Sequence, residues 1–137
     1  GGRSVMGSWM PSDPTLGAQI LRVRSAFTPP APEGFVSPMT WGVETHVVER
    51  CGDAGIPPRR GSFARDTFVF NYDGAPAQYV DEFRKYYGPT MNAFEAAEKN
   101  GRGADLQKEL VDLFSSQNTS KSATSIPATF LRVTVTV

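Results

Sequence analysis

The end of the chain alternates apolar and polar side chains, and this pattern constrains the fold more than any other segment does. Leu131, Val133 and Val135 occupy every second position, and the residues between them are arginine and threonine. This two-residue period is typical of a β-strand. The high β-branched content favours a central strand with a partner on each side. We therefore predict that residues 128–137 lie in the middle of a sheet completed by earlier parts of the chain.

Two earlier segments also have the composition of strands. Residues 3–9 hold a valine, a methionine and a tryptophan and are followed closely by a proline. Residues 62–72 place Phe68 and Phe70 on one face and Val69 on the other. Apolar residues on both faces predict a strand that other layers of the fold cover on both sides.

The segments between these strands repeat apolar residues with helical spacing. Helices are predicted after a cap at Ser12 or Asp13, over residues 41–51 and 76–99, and around residues 106–114. Gly88-Pro89 interrupts the third of them, because a proline inside a helix removes a hydrogen-bond donor and clashes with the preceding turn. Residues 28–40 contain four prolines and one glycine, which predicts an irregular internal loop.

Strands separated by helical stretches indicate an α/β architecture, and the length fits a single domain over residues 1–137. Lys plus Arg and Asp plus Glu each number 14, so the formal charge is zero. This balance argues against nucleic acid and membranes as partners, since both attract a basic surplus. The single cysteine can form neither an internal disulfide nor a structural zinc site, and no metal site is expected. Because no apolar run is long enough to span a bilayer, we expect a soluble cytoplasmic protein.

His46 and Cys51 raise the question of a cysteine nucleophile with a histidine base. On one helix, five residues correspond to a rotation of roughly 140°, so the two side chains point apart. We interpret Cys51 as a small core residue and His46 as a partly exposed helix residue. Gly101 and Gly103 follow a helix rather than a strand, so we interpret them as a helix–helix connection and not as a phosphate-binding loop.

Aromatic and amphipathic side chains are concentrated beside the breaks in regular structure. They follow the first strand, follow the proline-rich loop and surround the helix break. Ligands of α/β proteins bind beyond the carboxyl ends of strands, in pockets that are mostly apolar with a few placed polar groups. The candidate ligand-binding residues are therefore Trp9, Met10, Trp41, Tyr86, Tyr87, Met91 and Asn92. The alternative, that these are ordinary core and hinge residues, stays open.

Four stretches of the chain resemble class I S-adenosylmethionine-dependent methyltransferases, in the small-molecule branch related to ubiquinone/menaquinone C-methyltransferases. They are residues 2–11 (GRSVMGSWMP), 37–42 (SPMTWG), 83–90 (FRKYYGPT) and 126–131 (IPATFL). The first resembles the fifth sheet strand of the family and the turn after it. The resemblance covers nearly the whole chain but only the second half of the family's domain.

The resemblance implies a partial Rossmann-like fold made of strands five, six and seven with the helices that wall the acceptor pocket. It places the last strand in the middle of a three-stranded mixed sheet, antiparallel to both neighbours. S-adenosylmethionine is the cofactor that it implies. In the family that cofactor is held by a Gly-rich turn after the first strand and an acidic residue ending the second, and no position here matches either. No cofactor-binding residue is therefore assigned, and we expect the chain alone to be inactive.

Two functions follow from these observations as expectations. In the first, the chain is the C-terminal portion of a methyltransferase, and the seven candidate residues bind a small, apolar acceptor. Tyr86 or Tyr87 could orient an acceptor hydroxyl, although a tyrosine with a pKa near 10 is a poor base. In the second, the chain is a non-catalytic binding or assembly module with a methyltransferase-like half-fold.

The first strand raises an expectation about partners. In the family, its outer side pairs with a strand that has no counterpart in this chain. Residues 3–9 would then present unpaired backbone groups at the edge of the sheet, which favours association. We expect a homodimer, or a complementing N-terminal half, to pair through this edge. The alternative, that the N-terminal residues or the proline-rich loop fold over this edge and cover it, stays open.

Overall fold

Strands and helices alternate along the chain, and the structure, a computed structural model, describes all 137 residues. The strands are β1 (Arg3–Trp9), β2 (Gly61–Tyr72) and β3 (Thr124–Thr136). The helices are α1 (Leu16–Ser25), α2 (Glu44–Asp53), α3 (Pro76–Tyr86), α4 (Gly88–Lys99) and α5 (Gly103–Gln117). Short 3-10 helices over Pro38–Gly42 and Pro58–Arg60 precede α2 and β2. The α/β class that the sequence predicts is confirmed.

The three strands form one sheet in the order β1–β3–β2. β3 is antiparallel to both neighbours, with Phe130 opposite Trp9 on one side and opposite Asp66 on the other. The predicted central position of the last strand is therefore confirmed. The prediction of a mixed sheet is wrong, because β1 and β2 run in the same direction but are not hydrogen-bonded neighbours.

Two separate apolar cores lie on opposite faces of the sheet. On one face, α1 and α5 pack on the first half of β3 around Ile126 and Ala128, and α3 and α4 pack on α5. On the other face, Val47 of α2 and Met10 pack on the second half of β3 around Leu131. Each face of the sheet is thus covered over one half only.

This staggered arrangement corrects the prediction that β2 is covered on both sides. The Phe68 side chain is 55% exposed and the Val69 side chain is 43% exposed. Phe68 lies beyond the reach of the helices on its face, and Val69 lies beyond the reach of α2 on the other. The end of β2 is therefore an apolar surface that the helices leave open.

The first helix begins at Leu16, later than a cap at Ser12 or Asp13 would place it. The carboxylate of Asp13 accepts a hydrogen bond from the Thr15 backbone N–H at 2.8 Å and a second from the Thr15 hydroxyl. These bonds turn the chain before the helix instead of capping it, so the predicted cap at Ser12 or Asp13 is wrong. α2 also begins late, because the Ser37 hydroxyl oxygen accepts from the Met39 N–H at 3.2 Å and starts a 3-10 helix there.

The predicted break between two helices is confirmed. α3 ends at Tyr86, α4 begins at Gly88, and Tyr87 between them has extended backbone angles of φ −96° and ψ 104°. Pro89 falls in the first turn of α4, where its missing N–H removes no helical hydrogen bond. The break turns the chain beside α1, which brings Tyr87 near the end of β1. None of the helices combines the length and apolar character needed to cross a membrane.

Candidate functional site: a cleft around Trp9

Trp9, the last residue of β1, is a shared wall of three adjoining cavities. The inner pocket, of about 200 Å³, is lined by Trp9, Gly17, Ile20, Leu21, Phe70, Phe83 and Tyr87. The sheet cleft, of about 460 Å³, is lined by Gly7, Ser8, Trp9, Phe68, Phe70 and Phe130. The loop cavity, of about 670 Å³, lies between α1, the loop that precedes α2, and the α3–α4 break. All three therefore meet at Trp9, at the carboxyl end of β1.

Two glycines allow Trp9 to occupy this place. A Cβ on Gly17 would lie 2.9 Å from the Trp9 ring atom Cε2 and closer still to Cδ2 and Cε3. A Cβ on Gly42 would collide with the Trp9 carbonyl oxygen. Heavy atoms do not approach so closely, so Gly17 makes room for the Trp9 indole and Gly42 makes room for the Trp9 backbone. Gly17 is buried in the first turn of α1, which sets the indole flat against that helix.

The sheet cleft is an aromatic surface on the open half of the sheet. The Trp9 ring lies 6.1 Å from the rings of both Phe70 and Phe130, and the Phe68 ring lies 4.9 Å from Phe70. The angles between the ring planes range from 40° to 88°, so the rings meet edge to face or tilted rather than stacked. An open surface of this kind suits a flat apolar ligand, whose burial removes aromatic area from water.

The structure brings two of the seven predicted site residues together, since Trp9 and Tyr87 both line the inner pocket and the loop cavity. Met10, by contrast, is buried in the core on the opposite face of the sheet. Trp41 lies in the 3-10 helix before α2, with the Arg50 guanidinium 4.6 Å from its ring centre. The other three are exposed on the outer helices, away from these cavities: Tyr86, Met91 and Asn92. A role in binding an acceptor stays a prediction for all seven.

Sequence reasoning missed most of the aromatic wall. Phe68 and Phe70 were interpreted as residues of a fully covered strand, and Phe130 was assigned no role. The alternation of β3 contains a usable signal, because Phe130 falls on the same side of the strand as Arg132 and Thr134. A large aromatic residue on the polar side of a strand indicates an apolar surface that helices do not cover.

The strand-to-helix connections do not form the cofactor site that the resemblance implies. The connection from β1 to α1 contains no glycine, and the carboxylate of Asp13 within it is hydrogen-bonded to Thr15. The connection from β2 to α3 holds one glycine, Gly74, whose carbonyl oxygen accepts from the Thr124 hydroxyl at 2.7 Å. Neither is a Gly-rich turn open to a ligand, so the residues of this chain do not fit S-adenosylmethionine.

No protein-family model matches the chain. Curated relatives occur in mycobacteria: an uncharacterized protein of Mycobacterium bovis and uncharacterized proteins of two strains of Mycobacterium tuberculosis. Each is 29% identical to this chain over 116 residues, which is 82% of the chain. The chain spans 40% of the length of these relatives.

Proposed function

We propose that this chain is the acceptor-binding portion of an S-adenosylmethionine-dependent methyltransferase that acts on a small, apolar acceptor. The observation that carries the proposal is the aromatic depression around Trp9, which lies beyond the carboxyl end of β1, where α/β proteins bind their ligands. The strand order β1–β3–β2, with the last strand antiparallel between the other two, supports it further. That order is the one implied for the last three strands of a Rossmann-like methyltransferase sheet.

In this proposal the chain binds and orients the acceptor and excludes water from it. The acceptor lies against Trp9, Phe68 and Phe130, whose exposed ring faces become buried when it binds. Tyr87 lines both the inner pocket and the loop cavity, and its hydroxyl is a hydrogen-bond donor and acceptor that can orient a polar atom of the acceptor. Holding the acceptor in one orientation lowers the entropic part of the barrier to displacement. Residues outside this chain hold the methyl donor.

The test compares two neighbouring residues of β2 in the full-length product of the gene. Phe68→Ala removes part of the cleft wall, and Val69→Ala changes an exposed residue on the opposite face of the same strand. Transfer of radiolabelled methyl groups from S-adenosylmethionine to naphthol-sized acceptors is measured. We expect the Phe68 variant to lose roughly tenfold or more in kcat/KM, through KM, because a phenyl contact is removed. The Val69 variant keeps the wild-type value.

Two results would contradict this proposal. The first is an absence of methyl transfer to any apolar aromatic acceptor by the full-length product. The second is submicromolar binding of S-adenosylmethionine by the 137-residue chain alone, measured by isothermal titration, which would contradict the assignment of this chain to the acceptor side only.

A non-catalytic binding or assembly module is the second candidate, and the free edge of β1 favours it. β1 pairs with β3 on one side only. The 3-10 helix over Pro38–Gly42 packs against the end of β1 at Trp9, but the Val5 side chain in the middle of the strand is 54% exposed. An exposed strand edge is a template for a further strand. A second copy of this chain is the partner that a two-fold arrangement would place there. Methyl transfer by the full-length product would decide against this candidate as the main function.

A further inference from the structure

The loop cavity differs from the other two cavities in its charge. Its walls contain two arginines, Arg22 and Arg24, and no aspartate or glutamate. Hydroxyl groups of Ser8, Ser25 and Ser37 also lie along it. A concave wall that carries positive charge and no compensating carboxylate attracts anions, and the low-dielectric surroundings strengthen the attraction.

Arg24 is the most unusual of these side chains. Its Nε and Nη1 atoms are buried, and no acceptor lies within hydrogen-bonding distance of either. No carboxylate lies within 4.0 Å of its guanidinium, and the titratable group facing it is the Tyr87 phenol. Burial lowers the pKa of Arg24 from its ordinary value, which reflects the loss of water around the charge. A half-buried charge without a partner costs stability, so a chain that retains one needs a reason.

Three other arginines have partners for their guanidinium groups, namely Arg50, Arg84 and Arg132. Arg84 pairs with Glu98, and Arg132 pairs with Asp66 at 3.0 Å. Arg50 also has a buried unpaired nitrogen, but its Nη2 donates to the Thr40 hydroxyl at 2.6 Å and its guanidinium lies over Trp41. Arg24 alone among these combines a buried guanidinium, no acceptor and a position in the wall of a large cavity.

We propose that the loop cavity binds the anionic group of the ligand, a carboxylate or a phosphate, and that Arg24 is its partner. The inference rests on the proposed function and narrows it: the acceptor is an apolar compound that carries an acidic group. Trp9 and Tyr87 belong to both the apolar inner pocket and the loop cavity, so one ligand can occupy both. Nη2, the guanidinium nitrogen that is not buried, donates a charge-assisted hydrogen bond to such an anion, and the charge of the guanidinium adds to the attraction.

The experiment uses two probes of nearly equal size and different charge. Isothermal titration measures the binding of 2-naphthoate, which carries a carboxylate, and of 2-naphthamide, which is neutral. Because a charge-assisted hydrogen bond is strong in a partly dry site, we expect the wild-type chain to bind 2-naphthoate at least about tenfold more tightly than 2-naphthamide. Arg24→Met removes that preference, so the variant binds the two probes with equal affinity. Arg24→Gln gives the same result and serves if the methionine variant does not fold.

Arg59→Met is the matched control, because it removes one positive charge from the Pro58–Arg60 3-10 helix, outside these cavities. It should keep the wild-type preference for the carboxylate. The binding of 1-naphthyl phosphate is measured in the same way. If it binds more tightly than 2-naphthoate, the site suits a phosphate group, and if it binds more weakly, the site suits a carboxylate.

Three outcomes would overturn the proposal. A wild-type chain that binds both probes equally has an apolar cleft but no anion site, so the inference fails and the proposed function survives. If the preference for 2-naphthoate persists in both Arg24 variants, or if the Arg59 variant loses it to the same extent, the preference does not come from Arg24 in particular. If neither probe binds at millimolar concentration, the anion site and the acceptor cleft are both contradicted.

Discussion

Gly17→Ala is a small substitution that tests how the Trp9 pocket is built. Gly17 is the second residue of α1, is buried, and faces the Trp9 indole. The new methyl carbon would overlap the indole, whose nearest atoms belong to a side chain that can rotate. We therefore expect α1 to stay in place and the Trp9 ring to move away from it, which closes the inner pocket and tilts the wall of the sheet cleft.

The size of the effect follows from two opposing terms. Alanine favours a helix over glycine by up to about 1 kcal/mol. Overpacking by a methyl group, which forces the neighbouring ring out of its preferred position, costs typically about 1–3 kcal/mol. Gly52 provides the matched control, since it lies next to the last residue of α2 and a Cβ there meets nothing within 4 Å. Gly52→Ala should therefore be neutral or stabilising, and Gly17→Ala should be less stable than it by roughly 1–3 kcal/mol.

Urea unfolding of the two variants and the wild type measures these free energies, and the indole N–H resonances report the ring. The chain has two tryptophans, so two indole peaks appear in the nitrogen–proton spectrum. Gly17→Ala should move the Trp9 peak and leave the Trp41 peak unchanged. If the alanine variants at positions 17 and 52 are equally stable and the Trp9 peak does not move, the packing argument is refuted.

Three further predictions concern other parts of the molecule. Arg24→Met should be as stable to urea as the wild type or more stable, because it removes a buried unpaired charge; a loss of more than about 1 kcal/mol would indicate a structural partner. Burial raises the pKa of Tyr79, so the folded state holds the phenol proton more tightly than the unfolded state does. The free energy of unfolding should therefore fall as the pH rises above about 10. In Tyr79→Phe this fall should be less steep, and thermal unfolding of both proteins measures it. Sedimentation equilibrium at micromolar concentration should detect a dimer that pairs through β1, and Val5→Lys should weaken that dimer. A monomeric wild type would contradict the use of this strand edge as an interface.

The sequence allowed the strand order and the helix break to be predicted because both depend on local physics. The alternation that ends at Val135 favours a strand over the residues that alternate. The Gly88-Pro89 pair interrupts a helix at its own position. By contrast, the exposure of Phe68 depends on how far the helices extend across the sheet. A run of consecutive apolar residues such as Phe68, Val69 and Phe70 shows that a strand has two apolar faces, but not which half of each face a helix covers.

The candidate site was predicted only in part because its members meet through tertiary packing. Trp9 and Tyr87 were identified from their positions beside breaks in structure, and the fold brings them together. Gly17, which makes room for the indole, and Gly42, which makes room for the Trp9 backbone, come from separate elements and carry no local signal. Arg24 lies off the apolar stripe of its helix, where an arginine ordinarily faces solvent. Its burial becomes apparent only when the loop before α2 is seen folded beside it.

The central claim is that this chain binds its ligand against Trp9, and the two indole resonances test it most directly. The nitrogen-labelled chain is titrated with 2-naphthamide, so that charge plays no part. The account predicts that the Trp9 indole peak moves along a saturating curve while the Trp41 peak stays in place. Movement of the Trp41 peak alone, or no saturable movement of either peak, would contradict it.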